Sequence, residues 1–266
     1  MRIAGLLVGI ALLSLAASGR AADQDGGMTG GAPSKDDPPI ETSSPKVKDS
    51  RNPDQPPARG PNPAKVAIIV FVDYENPISG KMRKAMRQIA DEFPGDVRVE
   101  VRQIPEYGHP NSEWGALAAF AAHRQGKFWP MNDCLLEHQD SLDDLTFEAC
   151  AAEAKLDTKR FAADRASDKL KDRMKAERDL VRSFGIMHAP AYTLNGRLYL
   201  GWGSWELFRG GVDEERRQVA ALLKSGKKLP EAVRLRAKEN VPKSPNALTV
   251  YTALIQNPPV TPKKKS

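Results

Sequence analysis

The stretch Lys65–Arg87, KVAIIVFVDYENPISGKMRKAMR, constrains the fold more than any other part of the chain. Val66 to Val72 is a short β-branched run, which reads as a buried strand. Asp73-Tyr74-Glu75 leaves that strand, Asn76 is a good N-cap, and Pro77 suits the first helical position, where a missing N–H costs nothing. The pattern predicts a helix from Asn76-Pro77. Met82, Met86 and Ile89 repeat on one side of it, and Lys81, Arg83, Lys84 and Arg87 carry the other.

Downstream, Asp96 to Ile104 alternates: Val97, Val99 and Val101 point one way, and Arg98, Glu100 and Arg102 the other. That predicts a half-buried strand. Ser112 to Gln125 is an alanine-rich helix closed by Gly126. Helical patterns then occupy Met131 to His138, Leu142 to Ala154, Thr158 to Ala166 and Lys169 to Phe184. Ala191 to Leu194 and Arg197 to Leu200 flank Asn195-Gly196, a strong hairpin signal. A last core helix runs from Trp205 to Ser225, with Trp202 and Trp205 read as packing residues at its start.

The strand, turn and helix around Asn76 resemble the first βα unit of the DsbA-like branch of thioredoxin-fold proteins. The run Gln125 to Asp133, QGKFWPMND, is similar to the entry into that family's inserted helical subdomain. The resemblance covers about residues 64–225 and implies an α/β, thioredoxin-like fold with an all-helical insertion at about 126–184. The family's turn carries Cys-Pro-x-Cys; the four positions here are Asn76, Pro77, Ile78 and Ser79. Neither an amide nor an ordinary hydroxyl exchanges disulfides, so the turn lacks the sulfurs of that chemistry. The resemblance also places Ala189-Pro190 at a cis-proline whose loop binds substrate backbone. His188, Ala189 and Pro190 are therefore the expected peptide-binding residues, offering an edge to which an extended polypeptide adds as a strand.

Cys134 and Cys150 are the only cysteines, sixteen positions apart in the helical insert. In an exported protein such a pair reads first as one structural disulfide, worth about 3 kcal/mol for a loop of this length. Two free thiols come second and a redox pair last. The histidines His109, His123, His138 and His188 are widely spread and none reads as paired at metal-ligand spacing with another His, Cys or acid, so no metal or cofactor is expected. A Ser79–His188 nucleophile and base is a further candidate, without a visible orienting acid. Asp73 and Glu75 read as capping or solvent-exposed carboxylates.

Residues 1–22 read as a secretory leader: Arg2, an apolar stretch from Ile3 to Ala17, then small residues. It is too short for a spanning helix, so no stable membrane insertion is expected, and the protein is placed in the periplasm or cell envelope, or outside the cell. Residues 23–64, rich in Gly, Pro and Ser, read as a disordered linker, and the folded domain is expected over 65–225. Residues 226–266 form an extension with a basic tail, Lys263-Lys264-Lys265, and helical stretches at Leu229 to Lys238 and Leu248 to Ile255 that can dock on the domain. The 40 basic residues against 34 acidic ones leave a net charge of +6, scattered in mixed-sign patterns, which does not predict nucleic-acid binding.

These features lead to an expected function as an exported, non-redox peptide- or protein-binding module with an exported client and without catalytic cysteines. The alternative is a thiol-chemistry enzyme of the disulfide oxidoreductase, isomerase or glutathione-transferase type, acting through Ser79 and the helix N-terminus or through Cys134 and Cys150. Glutathione itself is not an expected ligand, since no other signal for it is present. A third reading is a structural domain tethered to the envelope by its linker and tail.

Overall fold

The computed structural model describes residues 47, 49, 52–243 and 247–256. The leader at 1–22, residues 23–46, 48, 50 and 51 of the linker and the Lys263–Lys265 tail lie outside the described residues. Among the described residues, no helix is long and apolar enough to cross a membrane.

Five strands form one sheet: β1 (Ala58–Arg59), β2 (Val66–Val72), β3 (Val97–Gln103), β4 (Ala191–Leu194) and β5 (Arg197–Leu200), in the order β1-β3-β2-β4-β5. β2 and β3 are parallel, Val66 beside Val97 through Val72 beside Gln103, and the other pairs are antiparallel. Between β2 and β3 lie α1 (Pro77–Lys81) and α2 (Arg83–Glu92). The insert between β3 and β4 comprises α3 (Ser112–Arg124), α4 (Phe128–Glu137), a 3-10 turn at Gln139–Ser141, α5 (Asp144–Glu153), α6 (Thr158–Ala166) and α7 (Asp168–Ser183). After the hairpin come α8 (Trp205–Lys224), α9 (Leu229–Asn240) and α10 (Ala247–Gln256). This is a mixed α/β thioredoxin-like core with an inserted all-helical region.

Every second residue of a strand faces the same side, so the continuous apolar run of β2 needs cover on both faces. Val66, Ile68, Val70 and Val72 join one core with Met86 and Ile89 of α2 and Phe208 and Val212 of α8. Ile69 and Phe71 join another with Val181, Phe184, Ile186, Ala237 and Tyr251. The second core therefore uses α9 and α10, which dock on the sheet. The hairpin turns at Asn195 (φ 44°) and Gly196 (φ 91°), the left-handed pair that a two-residue turn requires.

Three expectations are corrected here. The helix predicted from Pro77 is two helices, broken at the fully buried Met82, whose N–H bonds Ser79 O at 3.1 Å, three residues back. β3 is buried on both faces, not half-buried. Arg102 is 0% exposed, its Nε and Nη2 both 3.0 Å from Glu100 Oε1 and its Nη1 3.6 Å from Glu177 Oε2 of α7. Alternating charges, which read as a solvated face, here neutralise one another under a helix that arrives much later in the chain.

The third concerns the linker. Its last part is folded: β1 pairs with β3, Pro57 O accepts from Val101 N, and Arg59 bonds Asp49 at 2.9 Å. His123 Nε2 lies 3.1 Å from Asn52 O and 2.9 Å from Gln55 O, and Arg173 donates to Gln55 O. Backbone pairing and buried cations hold a segment that has few apolar side chains of its own, so the folded unit begins well before residue 65.

Candidate functional site

The turn after β2 is built by capping. Asn76 Oδ1 accepts from Ile78 N at 3.0 Å, and Asn76 O accepts from Ser79 N at 2.9 Å. Asp73, buried at the strand end, accepts through Oδ1 from Glu75 N and Asn76 N and through Oδ2 from Glu106 N at 2.7 Å. Glu75 reaches the start of α3, accepting from Asn111 N and Ser112 N at 2.7 and 2.8 Å. Both acids thus take structural work, with Asp73 buried inside it.

Opposite the turn, the Ala189–Pro190 peptide is cis. Ala189 N donates to Glu106 Oε1 at 2.9 Å, and Ala189 O accepts from Asn76 Nδ2 at 2.8 Å. Asn76 Nδ2 also donates to Glu106 Oε1 at 3.2 Å, and His188 Nδ1 lies 2.9 Å from Glu106 Oε2. Glu106 therefore gathers the turn and the cis-proline loop into one network. Partial burial alone would raise its carboxyl; the bonds from His188, Ala189 and Asn76 outweigh that and hold it low. The backbone donor and acceptor of Ala189, the pair that an added strand would engage, are both engaged internally.

Nearby, His109 Nδ1 lies 3.0 Å from Asp73 Oδ2. Desolvation lowers the imidazole's pKa, but Asp73, with Glu106 and Glu75 behind it, raises it more, so His109 titrates above its ordinary value. Ser79 is buried with its Oγ accepting from Asp73 N at 3.3 Å, whereas the His188 side chain is 82% exposed and held by Glu106. Ser79 and His188 thus serve different partners. α1 has five residues and its first free N–H groups are occupied by Asn76, which leaves no anion cradle for a glutathione thiolate there.

The sulfur lies in the insert. Cys134 of α4 and Cys150 of α5 form a disulfide with a Cα–Cα separation of 5.6 Å. His138 and Glu153 are exposed, and both reach the buried sulfur of Cys134: His138 Nδ1 is 3.8 Å and Glu153 Oε2 3.6 Å from Sγ. His138 Nδ1 also lies 2.9 Å from Cys134 O, one helical turn back. The next residue, Gln139, donates through Nε2 to Tyr74 O at 2.8 Å and Asn76 O at 2.6 Å, tying the end of α4 to the turn.

The structure brings Asn76, His188, Ala189 and Pro190 together and keeps Cys134 and Cys150 apart from them as a bonded pair. The expected non-redox module without catalytic-type cysteines is corrected by that disulfide: a disulfide-forming pair is present, outside the turn. Three residues were missed by sequence reasoning. Glu106 carried no signal, since its partners lie 30 and more positions away. His138 and Glu153 did: Cys134 and His138 are four apart, Cys150 and Glu153 three apart, the spacings that share a helix face.

Sheet order, cis-proline loop and inserted helices define a thioredoxin-like fold with a helical insertion. The Thioredoxin family model matches residues 52–214, and the chain belongs to that family. It is similar to a thioredoxin-like oxidoreductase from Silicibacter pomeroyi DSS-3 (23% identity, 61% of this chain and 92% of that one, TM-score 0.55). It is likewise similar to the thiol-disulfide exchange protein alpha-DsbA2 from Wolbachia pipientis (21% identity, 60% and 86%, TM-score 0.55). Among curated proteins, the Na(+)/H(+) antiporter NhaA 3 of Salinispora tropica is 32% identical over 151 residues, 56% of this chain. The match spans 23% of that antiporter's length, so the chain corresponds to about a quarter of the relative.

Proposed function

We propose that this protein carries out thiol–disulfide exchange through Cys134 and Cys150, in the helical insert instead of the turn of the fold. The observation that carries the reading is the disulfide flanked by two exposed titratable side chains, His138 and Glu153, at its Cys134 sulfur. Asn76, Pro77, Ile78 and Ser79 stand where the family's turn has its two sulfurs, so exchange at the turn has no nucleophile. The leader and the Thioredoxin family membership support an exported protein acting on disulfide- or dithiol-bearing polypeptides.

In the reduced protein, the His138 ring and the Glu153 carboxylate, both beside the Cys134 sulfur, are placed to take up its thiol proton. The Cys134 thiolate attacks one sulfur of a client disulfide; that S–S bond breaks, a mixed disulfide forms, and a client thiolate leaves. Cys150, deprotonated, then attacks the Cys134 sulfur, forming the intramolecular disulfide and releasing the second client thiolate. Two electrons pass from the protein dithiol to the client, and the reverse sequence oxidises a client dithiol.

The test is equilibration of the purified chain in glutathione buffers of graded potential, with thiols trapped by a maleimide and counted. The expected result is a reversible two-electron transition above about −300 mV, the upper limit for most structural disulfides in secreted proteins. Insulin reduction should be lost in Cys134→Ser. A pair that stays oxidised across the series, or an exchange rate equal to that of the double Cys134→Ser, Cys150→Ser variant, refutes the proposal.

A further inference from the structure

We infer that the same corner, once reduced, is a zinc site: Cys134 and His138 from α4, Cys150 and Glu153 from α5. The inference rests on the exchange reading only in requiring a reducible pair, and it adds a ligand and a switch that exchange alone does not need. Its basis is geometric. The ligand atoms of Cys134, His138 and Cys150 all lie within 4.8 Å of one another. The spacing Cys134-x3-His138 puts two ligands on one helical face, and Cys150-x2-Glu153 puts two on the face opposite.

The distances match the metal. With Zn–S about 2.3 Å and Zn–N or Zn–O about 2.0 Å, a tetrahedral site has sulfur-to-nitrogen and sulfur-to-oxygen edges of about 3.6 Å. Cys134 Sγ is 3.8 Å from His138 Nδ1 and 3.6 Å from Glu153 Oε2. One edge is therefore already set within the last turn of α4 and the other by the packing of α4 on α5. The sulfur-to-sulfur edge of such a site is about 3.7 Å, which the pair reaches by side-chain rotation once the covalent bond is broken.

The donor set of two thiolates, one imidazole and one carboxylate suits zinc in preference to calcium or magnesium, which take oxygen. His138 Nδ1 leaves its bond to Cys134 O to ligate, a change confined to one exposed ring at the end of α4. The metal and the disulfide exclude each other. When a disulfide-bearing oxidant takes two electrons from the zinc-bound thiolates, its own S–S bond breaks into two thiolates that take protons from water, the Cys134–Cys150 bond forms, and zinc leaves with both sulfurs gone from its shell.

The experiment uses the full chain, reduced anaerobically with a phosphine, desalted, and titrated with Zn2+ against a chromophoric chelator. Co2+ is used in parallel for its thiolate charge-transfer and tetrahedral visible bands. The expected result is one metal per reduced chain, none on the oxidised chain, and cobalt bands that disappear on addition of a small-molecule disulfide. His138→Ala should weaken zinc by more than about tenfold, since even groups outside the ligand shell are worth 10–100-fold.

Glu153→Gln should move the cobalt bands while leaving the thiol count unchanged. Two counted thiols without metal binding overturn the zinc site and leave exchange standing. Zinc on a phosphine-reduced chain whose pair does not equilibrate with glutathione supports the site and overturns exchange. A folded chain that yields no thiols even to phosphine overturns both.

Discussion

Asn76 is the residue through which the turn and the cis-proline loop hold each other, and its removal has a magnitude that follows from its bonds. In Asn76→Ala three interactions disappear. The N-cap bond from Ile78 N to Oδ1 is worth about 1 kcal/mol. The bond from Nδ2 to Ala189 O is worth about 1 kcal/mol, and that to the Glu106 carboxylate up to about 1.5 kcal/mol. Because the residue is only half-buried, the sum is discounted to about 2–3 kcal/mol.

Asn76→Asp separates the parts: it keeps an oxygen for Ile78 N, loses both donated bonds, and sets a second carboxylate beside Glu106. It should cost about 2 kcal/mol at neutral pH. Urea unfolding followed by tryptophan fluorescence reads both variants; at a slope of about 2 kcal/mol/M the alanine variant should lower the midpoint by roughly 1–1.5 M. A cycle with Glu106→Gln should show coupling of at least about 0.5 kcal/mol. An alanine variant that loses no more than the cap, about 1 kcal/mol, or a cycle without coupling, would refute the bridge and with it the claim that Ala189 is engaged internally.

Other measurements bear on the remaining parts of the fold. Burial, and then the nearby Arg173, push the His123 imidazole down to about 4. Between about pH 6.5 and 4 the unfolded chain thus binds a proton that the folded chain refuses, and stability present above that window falls by about 3 kcal/mol on crossing it. In His123→Gln the slope of stability against pH there should flatten. Glu177→Ala strips a fully buried partner from Arg102 and the acceptor of Gln103 N at 2.8 Å, and should cost about 3–5 kcal/mol in urea unfolding, with Glu177→Gln milder. Gly196→Ala should lower the melting temperature by several degrees, because a Cβ would sit 2.8 Å from Val241 Cγ1 at a φ of 91°.

Legibility followed the range of each interaction. β2 and the Asn195-Gly196 hairpin announce themselves because the apolar run and the left-handed pair are local. The two-sided burial of β3 is not local: its polar face is covered by Glu177 of α7, 74 positions downstream of Gln103. β1 is two residues long and paired through its backbone, which leaves no pattern in side chains. At the turn, the capping role of Asn76 was readable, but Glu106 was not, because a carboxylate that collects N–H groups from two distant loops looks in sequence like any exposed acid. The i,i+4 and i,i+3 spacings at Cys134 and Cys150 were present all along. They carry little weight in sequence because a histidine or an acid three or four positions from a cysteine is common on any helix, and only the packing of α4 on α5 brings the two pairs to one corner.

The division of the molecule into a closed turn and a sulfur-bearing insert follows from the same few bonds. Exchange chemistry at a helix start requires a nucleophile with unspent N–H groups around it, and at the turn Asn76 uses those groups itself, through Oδ1 and its own carbonyl. Glu106 then occupies the loop that faces it. The end of α4 is built the other way: Cys134 lies buried one turn before the exposed His138, with the exposed Glu153 beside its sulfur. Gln139 joins the two regions by gripping Tyr74 O and Asn76 O.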